Sequence, residues 1–319
     1  MSDVTADRSV SRSTDCPPCP GSPVMERIST RKAEVGELAI HRALPSRQRR
    51  MVGAWCFLDH AGPIVFGPGD GLRVGPHPHI GLQTFTWMIE GEVMHRDSLG
   101  SEQVIRPGQV NLMTAAHGIS HAEDSVTPEG GGLHAAQLWI ALPEAERHGK
   151  PAFRNYPDLP VTSHGGFHVT VLVGTAFGET SPVEVYSPLI GLDLMADRAA
   201  QASLPLDAGF EHAVLVLSGE AQIEGEMLEP DTLLYLGTGR SQLHVQCSGP
   251  ARLLVIGGAP FGEEILVWWN FVARNQAEIE AAARDWNSGD QRFGKVSGSP
   301  SPQLPAPDLT GVQIRQPGR

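Results

Sequence analysis

Cysteine is scarce in this chain: four in 319 residues. That is too few for a disulfide framework, and a reducing cytoplasm is the expected setting. Aromatic residues make up 6% and charged residues 19%. Lys and Arg are outnumbered 24 to 36 by Asp and Glu, a net charge of −12. Such a balance argues against direct contact with nucleic-acid backbones, which requires concentrated positive charge. The one basic cluster, Arg42, Arg47, Arg49 and Arg50, reads as a solvated surface. No run approaches the ~18 apolar residues of a transmembrane helix. The first 25 residues also lack the apolar segment of a secretory signal, so no membrane association is expected.

Glycine (36) and proline (26) are abundant, which points to many turns and therefore many short strands. Residues 1–24 carry no Leu, no Ile and no aromatic, and residues 295–319 are Pro-rich without aromatics. Both read as disordered tails, and Met25 is a candidate alternative start. Between them, apolar stretches alternate with turn signals such as Pro107-Gly108, Gly219 and Gly249-Pro250, the pattern of an all-β sandwich or barrel.

A Pro- and charge-rich stretch over 142–160 suggests a boundary between a domain of residues 25–143 and one of 144–294. The halves resemble each other: Ile89-Glu90-Gly91-Glu92 matches Leu217-Ser218-Gly219-Glu220, and Pro107-Gly108-Gln109-Val110 matches Pro230-Asp231-Thr232-Leu233. This spacing points to a duplicated β-barrel. One helix is expected, opened by Asn275 with Glu278 as capping-box partner. Its apolar positions are Ile279, Ala282, Ala283 and Trp286, and Gly289 stops it. It is expected to cap the C-terminal half.

Histidine is unevenly placed, with seven of thirteen between His60 and His134. His77-Pro78-His79 and His121-Ala122-Glu123 each place two donor side chains two residues apart, hence on one face of a strand. Three neutral imidazoles and one carboxylate suit Fe, Mn, Ni, Cu or Zn. The period-2 run from His77 through Gln83, Phe85 and Trp87 to Ile89 is expected to share that face. His60, His95 and His134 read as structural, as do the isolated His212 and His244 of the second half. Cys16-Pro17-Pro18-Cys19 has no context for redox or metal chemistry, and Cys56 and Cys247 read as core.

These motifs resemble the cupin superfamily, and within it the pirin family. The stretches that carry the likeness are Trp55-Cys56-Phe57-Leu58-Asp59-His60, His77-Pro78-His79, Glu90-Gly91-Glu92 and His95-Arg96-Asp97-Ser98-Leu99-Gly100. They continue with Arg106-Pro107-Gly108, His121-Ala122-Glu123, Gln137-Leu138-Trp139 and Trp268-Trp269-Asn270-Phe271-Val272. The resemblance implies a bicupin: two cupin-type β-barrels, with metal in the N-terminal one and none in the C-terminal one. It implies His77, His79, His121 and Glu123 as ligands of one divalent ion, Fe(II) above the other candidates. It further implies a dioxygenase that cleaves a flavonol such as quercetin with O2, releasing a depside and carbon monoxide, with Glu123 accepting the substrate proton. The alternative it implies is a non-enzymatic, iron-dependent redox sensor that binds a transcription factor or a metabolic enzyme. Two positions depart from the family pattern: Gln83 stands where a Glu is usual, and His117 precedes the third ligand by four residues. Gln83, Phe85, Trp87 and His117 are the expected pocket residues.

Overall fold

The computed structural model describes residues 10–35, 38–126 and 130–309. Among them the chain forms two barrels, each a seven-stranded antiparallel sheet facing a four-stranded one. The first large sheet runs, in spatial order, Ala152–Tyr156, Val110–Thr114, Leu82–Glu90, Gly131–Ala141, Trp55–Phe66, Leu38–Leu44 and Arg31–Val35. The second runs Pro23–Ser29, Thr232–Gly237, Glu211–Ser218, Ala251–Gly258, Leu189–Ala196, Phe167–Val173 and Val161–His164. The two orders correspond strand for strand, as the internal repeat implies. The two-cupin, all-β architecture expected from the sequence is present.

The barrels exchange their outer strands. Pro23–Ser29 precedes the first barrel in sequence but pairs with Thr232–Gly237 of the second. Ala152–Tyr156 follows the expected boundary but pairs with Val110–Thr114 of the first. A cut at residue 143 therefore separates a strand from its sheet, and sheet membership changes between Tyr156 and Val161.

The large sheets pack back to back. Trp55, Phe85, Trp87 and Leu138 of one meet Leu189, Leu215, Tyr235 and Ile256 of the other in one buried cluster. Each such side chain contributes about 1.5–3 kcal/mol on burial, so this seam is a main source of stability. It also decides which face of each large sheet looks into its own barrel.

Three further expectations are corrected. The segment 10–24 is not a free tail: Ser11–Arg12 pairs with Leu266 and Val267, and Arg49 donates to the carbonyls of Pro17 and Pro18. Nor are residues 295–309 free, since Leu304 N–H donates to Pro76 O and its carbonyl accepts from the Trp286 indole. In both cases backbone pairing replaces the side-chain burial the composition lacks. Residues 1–9 and 310–319 lie outside the described residues. Arg42 and Arg49 are not solvated but 3% exposed, neutralised by Asp59 and Glu26 respectively.

The helix forms over Gln276–Ser288 with Asn275 as N-cap, Gly289 in the left-handed region at φ 73°, and the expected four residues buried. It does not cap the second barrel. With Trp268, Phe271 and Phe293 it forms a cluster that reaches Ile80 of the first barrel, where Val272 N–H donates to Ile80 O. No helix among the described residues is long and apolar enough to cross a membrane.

Candidate metal centre

His77 and His79 end the strand Arg73–His79, which pairs with Ile119–Ser125 so that His77 lies opposite His121. The pairing shifts register between His121 and Glu123, a local irregularity that re-aims the side chains beyond it. The ligand atoms of His77, His79 and His121 all lie within 4.8 Å of one another. The Nε2 atoms of His79 and His121 are 3.1 Å apart. Glu123, 4% exposed, stands beside the triad, near enough to His77 for its charge to favour the protonated ring.

The hydrogen bonds fix which nitrogens can bind. His77 donates Nδ1–H to Gly75 O at 2.8 Å, and His79 donates Nδ1–H to Asn270 O at 2.9 Å. Both rings therefore turn bare Nε2 atoms inward. His77 Nε2 is buried and has no hydrogen-bond partner, a costly arrangement unless something fills it. Burial pushes His77 down to about 4 and moves His79 and His121 well below the ordinary imidazole value, reinforced for the latter two by the neighbouring rings. The triad is thus held neutral, the form that ligates metal. Orphaned Nε2, fixed tautomers and neutral rings fit a divalent ion.

His121 is oriented by a pair the sequence reading left as structural. Its Nδ1 meets His95 Nδ1 at 3.3 Å, and His95 Nε2 meets Asp97 Oδ2 at 3.2 Å. Burial would raise the Asp97 carboxyl, but hydrogen bonds from His95 and Ser101 hold it below its usual range. An ionised Asp97 accepts from His95 Nε2–H, which leaves His95 Nδ1 to accept from His121 Nδ1–H.

The expected pocket residues are elsewhere. Gly81 breaks the period-2 run between the two sheets at φ 70°, where a Cβ would meet Val272 O at 2.1 Å. Beyond it the odd positions face the seam: Gln83 bonds Thr114 Oγ1 and Glu184 O, Phe85 and Trp87 join the inter-barrel cluster, and the Trp87 indole donates to Asp193. His117 is exposed, its Nδ1 bonded to Gly149 O at 2.8 Å. The walls nearest the triad are instead Trp139, edge-on to His79 at 5.2 Å and stacked on Phe57, and Phe153, stacked on His95 at 4.1 Å. His60 and His134, 2.8 Å apart, lie at the seam, where His60 also meets Asp231.

The second barrel lacks the donor set among its described residues. Ala202, Leu204, Leu243 and Val245, on the strands equivalent to those of the triad, are buried in its apolar core.

Two family models match the chain: pirin over residues 37–140 and the pirin C-terminal cupin domain over residues 191–294. The chain belongs to the pirin family. It is 51% identical to a Pseudomonas aeruginosa protein named "Putative quercetin 2,3-dioxygenase", over 97% of this chain and 98% of that one. It is 36% identical to a pirin-like protein of Caulobacter vibrioides, over 83% and 94%. A crystal structure titled quercetin 2,3-dioxygenase, from Acinetobacter baumannii, superposes with a TM-score of 0.88 at 50% identity, covering 91% of this chain and 97% of that one. The pirin and bicupin assignments made from the motifs therefore hold.

Proposed function

We propose that this pirin is a metal-dependent dioxygenase that opens the central ring of a flavonol-like substrate with O2. The observation that carries the reading is the triad: three neutral imidazoles, two of them locked by backbone carbonyls, with one Nε2 left bare in a buried site. His77, His79, His121 and Glu123 would hold the ion, with Fe(II) the expected occupant and Mn, Ni, Cu or Zn chemically admissible. When bound, such an ion lowers the pKa of a coordinated hydroxyl and favours the electron-rich anion that reacts with O2.

Glu123 accepts the proton of the substrate hydroxyl, being a carboxylate beside the triad on the strand that carries His121. Trp139, Phe57 and Phe153 supply flat apolar walls for an aromatic substrate. Asn270 and Gly75 fix two rings through backbone carbonyls, so side-chain disorder at those positions is not required to be paid at binding. The test is turnover. Fe(II)-reconstituted protein mixed with quercetin and O2 should lose the flavonol absorbance and release carbon monoxide, and His79→Ala should abolish both. Bound iron with no turnover would instead favour the iron-sensing reading.

A further inference from the structure

The large sheet of the first barrel presents two successive inward rows to the metal side. Phe57, Trp139, Thr84, Met113 and Phe153 are paired neighbours across five strands and share one face. Trp139 and Phe153 of that row touch His79 and His95. Two residues along each strand, about 7 Å away, lies the next row on the same face. It reads Asp59, Gln137, Thr86, Asn111 and Asn155, extended by Arg42 opposite Asp59. Every member is polar, and Gln137, Thr86 and Asn111 are buried.

The second barrel shows what this row would be without a task. Val214 stands five residues before Gly219 as Thr86 stands five before Gly91, and Leu234 follows Pro230 by four as Asn111 follows Pro107. Val214 pairs with Val255 and Leu234, and Val255 with Leu192. Its four inner members are aliphatic and lie in the core of that barrel, with the exposed Arg27 opposite Leu234 at the outer edge. The same fold position thus tolerates aliphatic packing, so the polar row of the first barrel is not demanded by the architecture.

Its internal bonds leave donors over. Thr86 Oγ1 donates to Gln137 Oε1 at 2.8 Å, and Asn155 Nδ2 donates to Asn111 Oδ1 at 2.8 Å. Those bonds turn both carbonyl oxygens to protein and leave the amide nitrogens to give. Gln137 Nε2 reaches only Leu138 O, at 3.4 Å, and Asn111 Nδ2 donates to none of the described residues. Gln137 is fully buried, and a buried donor held only by so long a contact is costly; an oxygen-bearing ligand would satisfy it and could also accept from the Asn111 amide.

We infer that Gln137 and Asn111, oriented by Thr86 and Asn155, form the subsite that reads hydroxyl or phenolate oxygens on the substrate ring remote from the metal. The inference rests on the flavonol reading above and assigns its specificity to these residues. It is tested on the full-length, Fe(II)-loaded chain under anaerobic conditions, by tryptophan fluorescence quenching. The probes are galangin, kaempferol and quercetin, flavonols with no, one and two hydroxyls on the phenyl ring.

Wild type should bind quercetin about tenfold more tightly than galangin, the effect of one net hydrogen bond. Gln137→Val and Asn111→Leu, which install the residues of the second barrel, should remove that preference and leave galangin affinity unchanged. Equal affinity of wild type for all three probes would overturn the inference and leave the flavonol reading standing, as would variants that weaken all three equally. No binding of any probe would overturn both. Should the Gln137 variant fail to fold, the near-isosteric Thr86→Val and the wild-type series decide the matter.

Discussion

The Nδ1 atoms of His121 and His95 lie 3.3 Å apart, and one of them must donate to the other. Asp97, bonded to the far nitrogen of His95, settles the direction: His121 donates, so its Nε2 is bare and faces His79. A residue two positions from one strand end thereby fixes the tautomer of a side chain on the neighbouring strand. His95→Phe keeps the stacking on Phe153 but removes the acceptor. Metal affinity should fall about 10–100-fold, measured by competition with a chelator. Unchanged affinity would remove His95 from the ligand-orienting role.

Stability should depend on pH in a direction set by the buried imidazoles. Burial pushes His77, His134 and His212 down to about 4 from an ordinary 6.5. Between those values the unfolded chain binds protons that the folded chain refuses. Stability is therefore fully present above about pH 6.5 and is lost as pH falls toward 4. Metal loading should steepen the fall, because protons and metal compete for the triad. Thermal melts from pH 7.5 to 5 check this, and a flat Tm across that range would contradict it.

Between the backbone pairs at its two ends, the segment 10–24 is tied down by Arg49. Arg49 bonds Glu26 through Nε and Nη2 and the carbonyls of Pro17 and Pro18 through Nη1, with its guanidinium over the Tyr235 ring. Arg49→Ala should cost about 1.5–3 kcal/mol, since charge-assisted hydrogen bonds to the part-exposed Glu26 and to two backbone carbonyls are lost. It should also expose residues 10–22 to limited proteolysis while leaving metal content intact. A protease-resistant variant would show that strand pairing alone holds the segment.

Trp87 packs at the barrel seam and not at the metal. Trp87→Phe removes the indole bond to Asp193, a 3.2 Å contact to a carboxylate already paired with Arg252. The expected outcome is a lower Tm, equivalent to about 1–2 kcal/mol, with flavonol affinity and metal content unchanged. A variant that kept its Tm and lost flavonol binding would return Trp87 to the pocket.

The imidazole triad was legible because its members obey strand periodicity over short spans: His77 and His79 share a face by spacing alone. The same rule misplaced Gln83, Phe85 and Trp87, because it counts residues and does not see that Gly81 carries the chain from one sheet to the other. Asn270, although within a family-like stretch, carried nothing that tied it to His79, and Phe153 carried no local signal. One orients His79 from 191 residues away, and the other arrives on a strand beyond the expected boundary. The tails looked disordered because composition reports side-chain burial, whereas these segments are held by backbone pairing and by Arg49. The His95–Asp97 pair had the right spacing, but nothing in the sequence ties it to His121.

The central claim is that one metal ion is held by the three imidazoles of the first barrel and by nothing in the second. Metal content of the anaerobically reconstituted protein, wild type beside His79→Ala, tests it most directly. The expected result is one ion per chain in the wild type and essentially none in the variant. A wild type that takes up no metal, or a variant that retains a full equivalent, would contradict it.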